Sequence, residues 1–590
     1  MKAEAKALNF IINEGIIKVP FFQRSYVWDK ENWEELFEDL AEFNNYHFLG
    51  SIIFKQQKVS TGDPKEVSLI DGQQRLATIC ILLKAIYDNL DDDKKKNLYG
   101  RLESFLYFKK DETGSELEEK IKLSKNDRED YKEIILNGNI SDSTKKTGLI
   151  GCYNHFNKKL KNKIIEDKTI LDKLINKIFS SNYKLFVVID LEAEDNEQEI
   201  FDTINSAGVR LSSADIIKNA LFQRILELDT LEIKLTDLLY KKYWEDIFQS
   251  DKEKENEWLK EKNTGRVKRD NIEILFHSYA VLKSFFDPEN DNLSDLSSIY
   301  KKELHKFKTI AEIEKFFLIE LTKYADIFYN NLISEIELLE FDNQIDNQIH
   351  RTLHIINTLE LSTFYPLILY ILHNIKAEDR EKYLKALEKY VIRRAIANKT
   401  TKNYNKEIKN FIKDINSLIS ASNDDTNDTE IYSGLQNISN NKANLILFWI
   451  ELYRRKDSKY DMKELKYTYT LEHILPTKWE QHWSDIPVYD ENENEITNEG
   501  EKKRVRNQLL NSIGNMTLLR SSLNSSIRNN KFDIKINGSS GKKGIKDYAD
   551  LSITKEILPS SSIHSWDERN IRERTKKLFE EFKNIWSKGL

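Results

Sequence analysis

The chain has 590 residues, with 91 Lys and Arg against 98 Asp and Glu for a formal net charge of −7, and a hydrophobic share of 39%. This length exceeds a single hydrophobic core and predicts two to four domains. No apolar run is long enough to span a bilayer, no signal-peptide core follows the N-terminus, and only Cys80 and Cys152 are present, which excludes a disulfide framework or a cysteine-type zinc site and makes the cytoplasm the expected compartment.

The first 225 residues alternate short β-like runs with helical patterns. Ile16–Val19, Leu49–Phe54 and Val67–Ile70 read as strands, and Leu76–Tyr87 as a helix. Leu185–Leu191 (LFVVIDL) is nearly continuous and β-branched, which predicts a buried strand. Residues 226–430 read as almost all helix, through Leu231–Phe248, Ile272–Phe286, Ile310–Leu339, Thr352–Ile375 and Arg380–Ala397, with the polar Ala421–Thr429 as a loop or linker. Residues 431–590 form a third unit: a helix near Ala443–Arg455, a β-like stretch Tyr467–Leu471, and an acidic insertion Asp490–Gly500. The charge is uneven along this order. Residues 501–590 hold 19 Lys and Arg against 10 Asp and Glu, a balance of +9, which leaves −16 over the first 500. The last stretch is therefore the part suited to a polyanion, with a solvated basic face as the plain alternative.

Three N-terminal segments carry chemistry. Val19–Trp28 (VPFFQRSYVW) sets Gln23 and Arg24 beside the aromatic rings of Tyr26 and Trp28. Arg24 suits a phosphate, and the rings suit base stacking or an aromatic plug at a strand–helix corner. Leu69–Leu76 (LIDGQQRL) runs from a strand through Asp71-Gly72 straight into a helix. Backbone amides at such a start, with Gly permitting close approach, make an anion site, and Arg75 adds a fixed charge. Asp71 could hold a metal-bound water or orient the arginine. An ordinary strand-to-helix turn is the alternative. Ile200–Asn219 suits a helix–turn–helix, with Gly208 at the turn and Ser212 and Asp215 as a capping pair, a role that leaves Asn205, Lys218 and Asn219 unexplained.

Together VPFFQRSYVW, LGSIIF, LIDGQQRLAT and FDTINSAGVRLSSADIIKN resemble the N-terminal module of the GmrSD family of modification-dependent, type IV restriction proteins, which is related to SspE and to BREX-associated BrxU-type proteins. The resemblance implies a ParB/sulfiredoxin-like α/β domain. It implies NTP binding and hydrolysis, with GTP favoured, at Asp71, Gly72, Gln73, Gln74, Arg75, Thr78, Asn205 and Lys218. It implies sensing of modified DNA at Gln23, Arg24, Tyr26 and Trp28. Ala77 departs from relatives that carry Thr or Ser there. Further on, YVIRRAIA followed by TTKNYN resembles a stretch that these proteins carry before their second module, where Arg393 and Arg394 read as interdomain or phosphate contacts or as simple surface charge.

At the C-terminus, Leu471–Pro476 (LEHILP) precedes Ile513–Leu519 (IGNMTLL), then Asn524, Asn529, Phe532 and Lys535. Phosphodiester hydrolysis needs an activated water and charge stabilisation at the phosphate. A His beside a carboxylate can supply a base and a metal ligand, and downstream residues can orient the one and complete the other. The order and spacing resemble HNH (ββα-metal) nucleases and the second GmrSD module. Carried over, His473 is the general base, Asn515 its support, Glu472 and Asn524 the ligands of Mg²⁺ or Mn²⁺, and Asn529 and Lys535 phosphate contacts. Trp566 and Arg574 fit the closing helix, Trp566 as packing. The fold expected is a mixed α/β and α chain of three parts: 1–225 for NTP binding and sensing, 226–430 as a helical linker, and 431–590 as an HNH nuclease. The function expected is NTP- and metal-dependent restriction of double-stranded phage DNA bearing modified bases, without a membrane partner and with a homodimer left open. The alternatives are an SspE-like phosphorothioate-sensing NTPase and nickase, and a nucleotide-binding regulatory or toxin-like protein with an inactive nuclease fold.

Overall fold

In a computed structural model of the chain, the described residues are all except 1, 21–22, 24, 42–47, 57–64, 110–116, 138–144, 181, 193–211, 230–233, 265–266, 334–337, 342–344, 457–458, 460–461, 482, 485, 523–529, 540, 542, 560–564 and 588–590. The chain is mixed α/β with a helical majority. It divides into two compact units, Met1–Lys241 and Lys242–Leu590. No helix among the described residues is long and apolar enough to cross a membrane.

The first unit is built on a mixed six-stranded sheet. From edge to edge its strands are Lys2–Lys6, Phe186–Leu191, Gly50–Gln56, Glu66–Asp71, Ile16–Lys18 and Ile121–Lys122. Phe186–Leu191 lies parallel to Gly50–Gln56 and antiparallel to Lys2–Lys6. A strand paired on both sides and covered by side chains needs apolar residues almost throughout, and Phe186, Val188 and Leu191 are fully buried. Lys2–Lys6 (KAEAK) has no apolar pattern to betray it. It is an exposed edge strand whose lysines discourage further pairing.

The helix Gln73–Asp88 starts directly after Glu66–Asp71, and every residue from Leu76 to Ile86 is buried. A helix apolar on all sides belongs inside the protein. This one packs on the helix Gly148–Glu166 and joins a single core with Ile17, Ile52, Phe54 and Val67. Truncating Leu83 to Ala there would cost about 2–5 kcal/mol. The DGQQR turn is thus anchored to the most buried helix of its unit.

In the second unit the run Thr352–Ile375 is two helices, Ile345–Thr358 and Tyr365–Asn374. The chain turns between them at Glu360, whose φ is +55°, and Pro366 sits in the first turn of the second helix, where a missing N–H costs nothing. Helix Ala377–Ile396 packs on Ile345–Thr358 through a buried Arg351–Glu388 ion pair. The same Glu388 accepts from Trp586 Nε1 at 2.8 Å, and Arg393 donates to the Trp586 carbonyl at 3.1 Å. The stretch read as a helical linker and the end of the stretch read as a nuclease are therefore joined within one unit.

Ala421–Thr429 is not a linker. A helix occupies Asn416–Asp424, and another begins at Asp428 behind an Asn427–Glu430 capping box. Its polar residues meet arginines: Arg394 reaches Asp425 at 2.8 Å, and Arg393 reaches Thr426 at 3.0 Å and Asp428 at 2.9 Å. The turn-forming composition of this stretch supplies caps and counter-ions and not looseness. Arg393 and Arg394 accordingly act in packing, not on a free surface.

Candidate functional site

The N-terminal turn has the geometry that its sequence suggests. Gly72 caps the Gln73–Asp88 helix with φ +96° and no side-chain hydrogen bond. A Cβ at this position would lie 3.0 Å from Ile52 Cγ1, so both conformation and space call for glycine. Arg75 does not swing into solvent. Its Nη1 donates to Ser51 O at 2.8 Å and to Leu49 O at 3.4 Å, and its Nη2 to Asp71 at 3.4 Å. Gly50, at φ +115°, makes room for it, because a Cβ there would collide with the guanidinium. Of the five donors of a guanidinium, these contacts leave some for a ligand. Asp71 thus orients the arginine, one of the two roles its sequence position allowed.

Most other polar side chains of the turn serve its construction. Gln74 is buried, and its Oε1 accepts from the amides of Val27 at 2.9 Å and Trp28 at 3.4 Å, while its Nε2 donates to Ser25 O at 3.3 Å. Gln23 donates to Leu69 O at 3.0 Å and Ile70 O at 3.3 Å. The two glutamines thereby pin the Gln23–Trp28 segment onto the turn, so the two sequence motifs form one structure. Gln73 is also buried.

Two expected site residues are corrected by their burial. Thr78 is fully buried, and its hydroxyl is spent on Gln74 O at 2.7 Å. Tyr26 lies in the core. Its hydroxyl meets Thr78 Oγ1 at 2.6 Å and accepts from Trp33 Nε1 at 2.9 Å, and burial drives its ionisation far above the usual tyrosine range. Tyr26 therefore offers no stacking face. Trp28 is half-buried, and Val27 between them is 52% exposed, so among the described residues of Tyr26–Trp28 the accessible apolar surface belongs to Val27 and Trp28. Ser212 caps the helix Ser213–Leu228 by accepting from Asp215 N at 3.1 Å, and Lys218 is buried 3.2 Å from the Asp215 carboxylate. Asn205 and Arg24 lie outside the described residues.

In the second unit, Thr470–His473 pairs antiparallel with Met516–Leu519, placing Glu472 opposite Thr517 and His473 opposite Met516. Lys535, from the short helix Phe532–Asn537, reaches under this hairpin. Its Nζ donates to Glu472 Oε1 and to the His473 carbonyl, both at 2.6 Å, and its side chain is 1% exposed. Lys535 is thus an internal brace and not the surface phosphate contact expected. Burial pulls both partners toward neutrality: the Glu472 carboxyl is raised by desolvation although Lys535 opposes this, and the Lys535 ammonium is lowered by desolvation although Glu472 opposes it. Burial, then the Lys535 charge, lower the His473 imidazole, so it is neutral near pH 7. Its Nε2 is shut away from solvent without a hydrogen-bond partner.

Asn515 supports His473 through the backbone and not through its ring. Its Oδ1 accepts from Leu475 N at 2.8 Å, and its Nδ2 donates to Leu475 O at 2.9 Å and Leu510 O at 3.0 Å. It holds the chain leaving His473, so it places the histidine through the backbone. Arg574 adds a second brace, donating to Gly514 O at 2.9 Å and Met516 O at 2.6 Å, and burial lowers it to about 10. Trp566 stacks on Phe532 at 6.0 Å between centroids, a packing role as expected. Asn524 and Asn529 lie outside the described residues.

Among the described residues no group of three His, Cys, Asp or Glu could hold a metal ion. Glu472 is the single carboxylate beside His473 in the motif. Part of the basic surplus is internal as well. Arg572 holds the carbonyls of Tyr489 and Asp490, and Arg506 pairs with Glu568 with both side chains 1% exposed. Exposed cations remain at Lys503, Arg504 and Arg520.

The roles of Gly50 as the seat of Arg75, of Gln74 as the clamp on Ser25–Trp28 and of Lys535 as the partner of Glu472 are not evident from the sequence. Only Gly50, a glycine opening a β-branched run, carried a signal that could have marked a close approach. Compared with known families, residues 5–222 match the model described as GmrSD restriction endonuclease, N-terminal domain, and residues 383–581 match that of GmrSD restriction endonucleases, C-terminal domain. No curated protein matches the chain.

Proposed function

We propose, because the chain belongs to the GmrSD restriction endonuclease family, that it hydrolyses DNA at His473 under the control of a nucleoside triphosphate held at Gly72–Arg75, and that its target is phage DNA carrying modified bases. The observation that carries the nuclease reading is the neutral, partnerless Nε2 of His473 beside the Glu472 carboxylate. A buried polar atom without a partner is uncommon, and a neutral imidazole whose Nε2 holds the lone pair can act as a general base once a water reaches it. In this reading the hairpin and the chain beyond it are an HNH (ββα-metal) unit, and the N-terminal sheet with its helix-start turn is ParB/sulfiredoxin-like.

His473 takes a proton from the attacking water as its oxygen bonds to phosphorus, and the 3′ oxygen leaves and is protonated from solvent. Lys535 and Asn515 fix the position of the imidazole, one from the strand and one from the loop after it. Glu472 and Asn524 would hold Mg²⁺ or Mn²⁺: a carboxylate and an amide oxygen are hard donors, and Mg²⁺ is commonly bound by one or two carboxylates with waters completing its shell. Such an ion, when bound, supplies Lewis-acid stabilisation of the phosphate charge. In the first unit, the uncapped helix start at Gly72 and the remaining donors of Arg75 are the groups that would meet nucleotide phosphates, GTP foremost. Gln23, Val27 and Trp28 would carry the sensing surface.

The test is cleavage by His473→Ala together with NTP hydrolysis by Arg75→Ala. DNA cutting that survives the first substitution removes the nuclease assignment. Nucleotide turnover that survives the second removes the turn.

A further inference from the structure

The helix Phe532–Asn537 sends Lys535 inward to Glu472 and the His473 carbonyl. Other lysines gather at its two ends. Lys531 directly precedes the helix and is exposed. At the far end, Lys546 Nζ donates to Asn537 Oδ1 at 2.8 Å. The segment Lys543–Tyr548 is pressed against the same helix at Gly544, where a Cβ would stand 2.2 Å from Ile536 O. Lys543 and Lys546 are exposed, and Lys543 Nζ lies 5.3 Å from the ring centroid of Tyr548, itself 45% exposed. One short helix therefore ties this row of side chains to the His473 hairpin.

The row differs from the exposed cations Lys503, Arg504 and Arg520, which pair with Glu480 at 3.6 Å, Glu501 at 3.5 Å and Asp550 at 2.8 Å. Among the described residues no carboxylate pairs with Lys531, Lys543 or Lys546, and no hydrogen bond engages the Tyr548 hydroxyl. The carboxylates of the stretch are turned elsewhere. Asp533 accepts from Asn537 Nδ2, Asp547 from Gly544 N at 2.9 Å, and Asp550 from Tyr469 at 3.1 Å as well as from Arg520. The Lys546 ammonium keeps two donors beyond its bond to Asn537. Ammonium groups without counter-ions, with a tyrosine hydroxyl among them, are donors of the kind that DNA phosphates accept from. A six-residue helix spans about 9 Å at 1.5 Å per residue. That is the axial rise of about three nucleotides along one strand of B-DNA.

We propose that Lys531, Lys543, Lys546 and Tyr548 grip the backbone of the DNA strand presented to His473, holding about three successive phosphates without reading sequence. The grip rests on the nuclease reading of His473 for its purpose, whereas its own chemistry needs only the phosphates that any duplex carries.

The experiment measures the affinity of the full-length protein, in EDTA, for a fluorescent DNA duplex across a range of salt, with an unmodified and a hydroxymethylated duplex as the two probes. In the combined substitution Lys531→Gln, Lys543→Gln and Lys546→Gln, the slope of log affinity against log salt should become shallower by about 0.9 per lost contact, equally on both duplexes. Tyr548→Phe should weaken binding about two- to tenfold, the effect of one neutral hydrogen bond, at an unchanged slope, because a hydroxyl releases no counterion. Lys503→Gln, whose ammonium is already paired, should leave the slope as it is. The four positions of the row are exposed, so the unfolding midpoint should not move. An unchanged slope in the combined variant, the same shallowing per lysine in Lys503→Gln (a diffuse basic face), or no DNA binding by wild type overturns the proposal. A shallower slope in the combined variant of a protein that does not cut DNA in Mg²⁺ would uphold the grip and remove the nuclease reading. Cutting that requires His473, with an unchanged slope, would do the opposite.

Discussion

The Gly72 turn and the His473 hairpin are both strand ends marked by a dense motif, yet they distribute their polar groups differently. At the turn, Gln23, Gln74, Thr78 and Tyr26 bind one another or the backbone, and Arg75 keeps donors to spare while braced by Leu49, Ser51 and Asp71. At the hairpin, Asn515, Arg574 and Lys535 do the bracing, and His473 keeps an unsatisfied nitrogen. A dense motif thus marks a rigid piece of backbone in which most polar groups serve the construction and one keeps hydrogen-bonding capacity to spare.

Substitutions can break or sharpen that contrast. The largest effect belongs to His473→Ala: cleavage should fall by a factor of about 10²–10⁴, with an unchanged unfolding midpoint, since the lost nitrogen has no partner. A large fall in the midpoint would mean that the histidine is structural. Lys535→Met should be the reverse. Leaving Glu472 buried without its ammonium costs about 3–5 kcal/mol in urea unfolding, and the double substitution with Glu472→Gln should recover part of it. Equal stability of the single and double variants would show that the pair is not coupled.

At the turn, Gly50→Ala displaces the Arg75 guanidinium without removing its charge. Nucleotide turnover should be lost as completely as in Arg75→Ala, and full turnover in Gly50→Ala would show that the brace is dispensable. Tyr26→Phe keeps the ring and removes the hydroxyl contacts with Thr78 and Trp33. It should cost about 1–2 kcal/mol of stability and leave the choice among modified DNAs unchanged, whereas Trp28→Ala should alter that choice. The same selectivity shift in both variants would restore Tyr26 to the sensing surface.

The pH dependence of the hairpin follows from His473. Its folded-state value lies below the ordinary 6.5, so the folded protein binds fewer protons than the unfolded chain between the two values. Stability should therefore fall as pH drops from 6.5 through the folded value, and the acid limb of the cleavage profile should also lie below 6.5. His473→Ala should remove this contribution to the acid loss. An acid limb above 6.5 would point to a different base.

Much of this was legible in the sequence where a physical rule ties residue type to position. LFVVIDL announced a buried strand, Asp71-Gly72 a strand-to-helix turn, and Ser212 with Asp215 a cap. What stayed hidden depended on partners distant in sequence. Nothing near Tyr26 indicates that Trp33, Thr78 and Cys152 enclose its hydroxyl, and nothing near Glu472 indicates Lys535, 63 positions on. The +9 of the last 90 residues likewise includes Arg506, Arg574 and Lys535, which are buried, and the half-buried Arg572, all holding carbonyls or buried carboxylates.

The most direct test of the central claim is a cleavage assay of wild type and His473→Ala on unmodified, hydroxymethylated, glucosylated and phosphorothioated DNA, each with and without GTP and Mg²⁺. The expected result is cutting of base-modified DNA by wild type alone, requiring both GTP and Mg²⁺. Cutting by His473→Ala, or equal cutting of unmodified DNA without nucleotide, would contradict it.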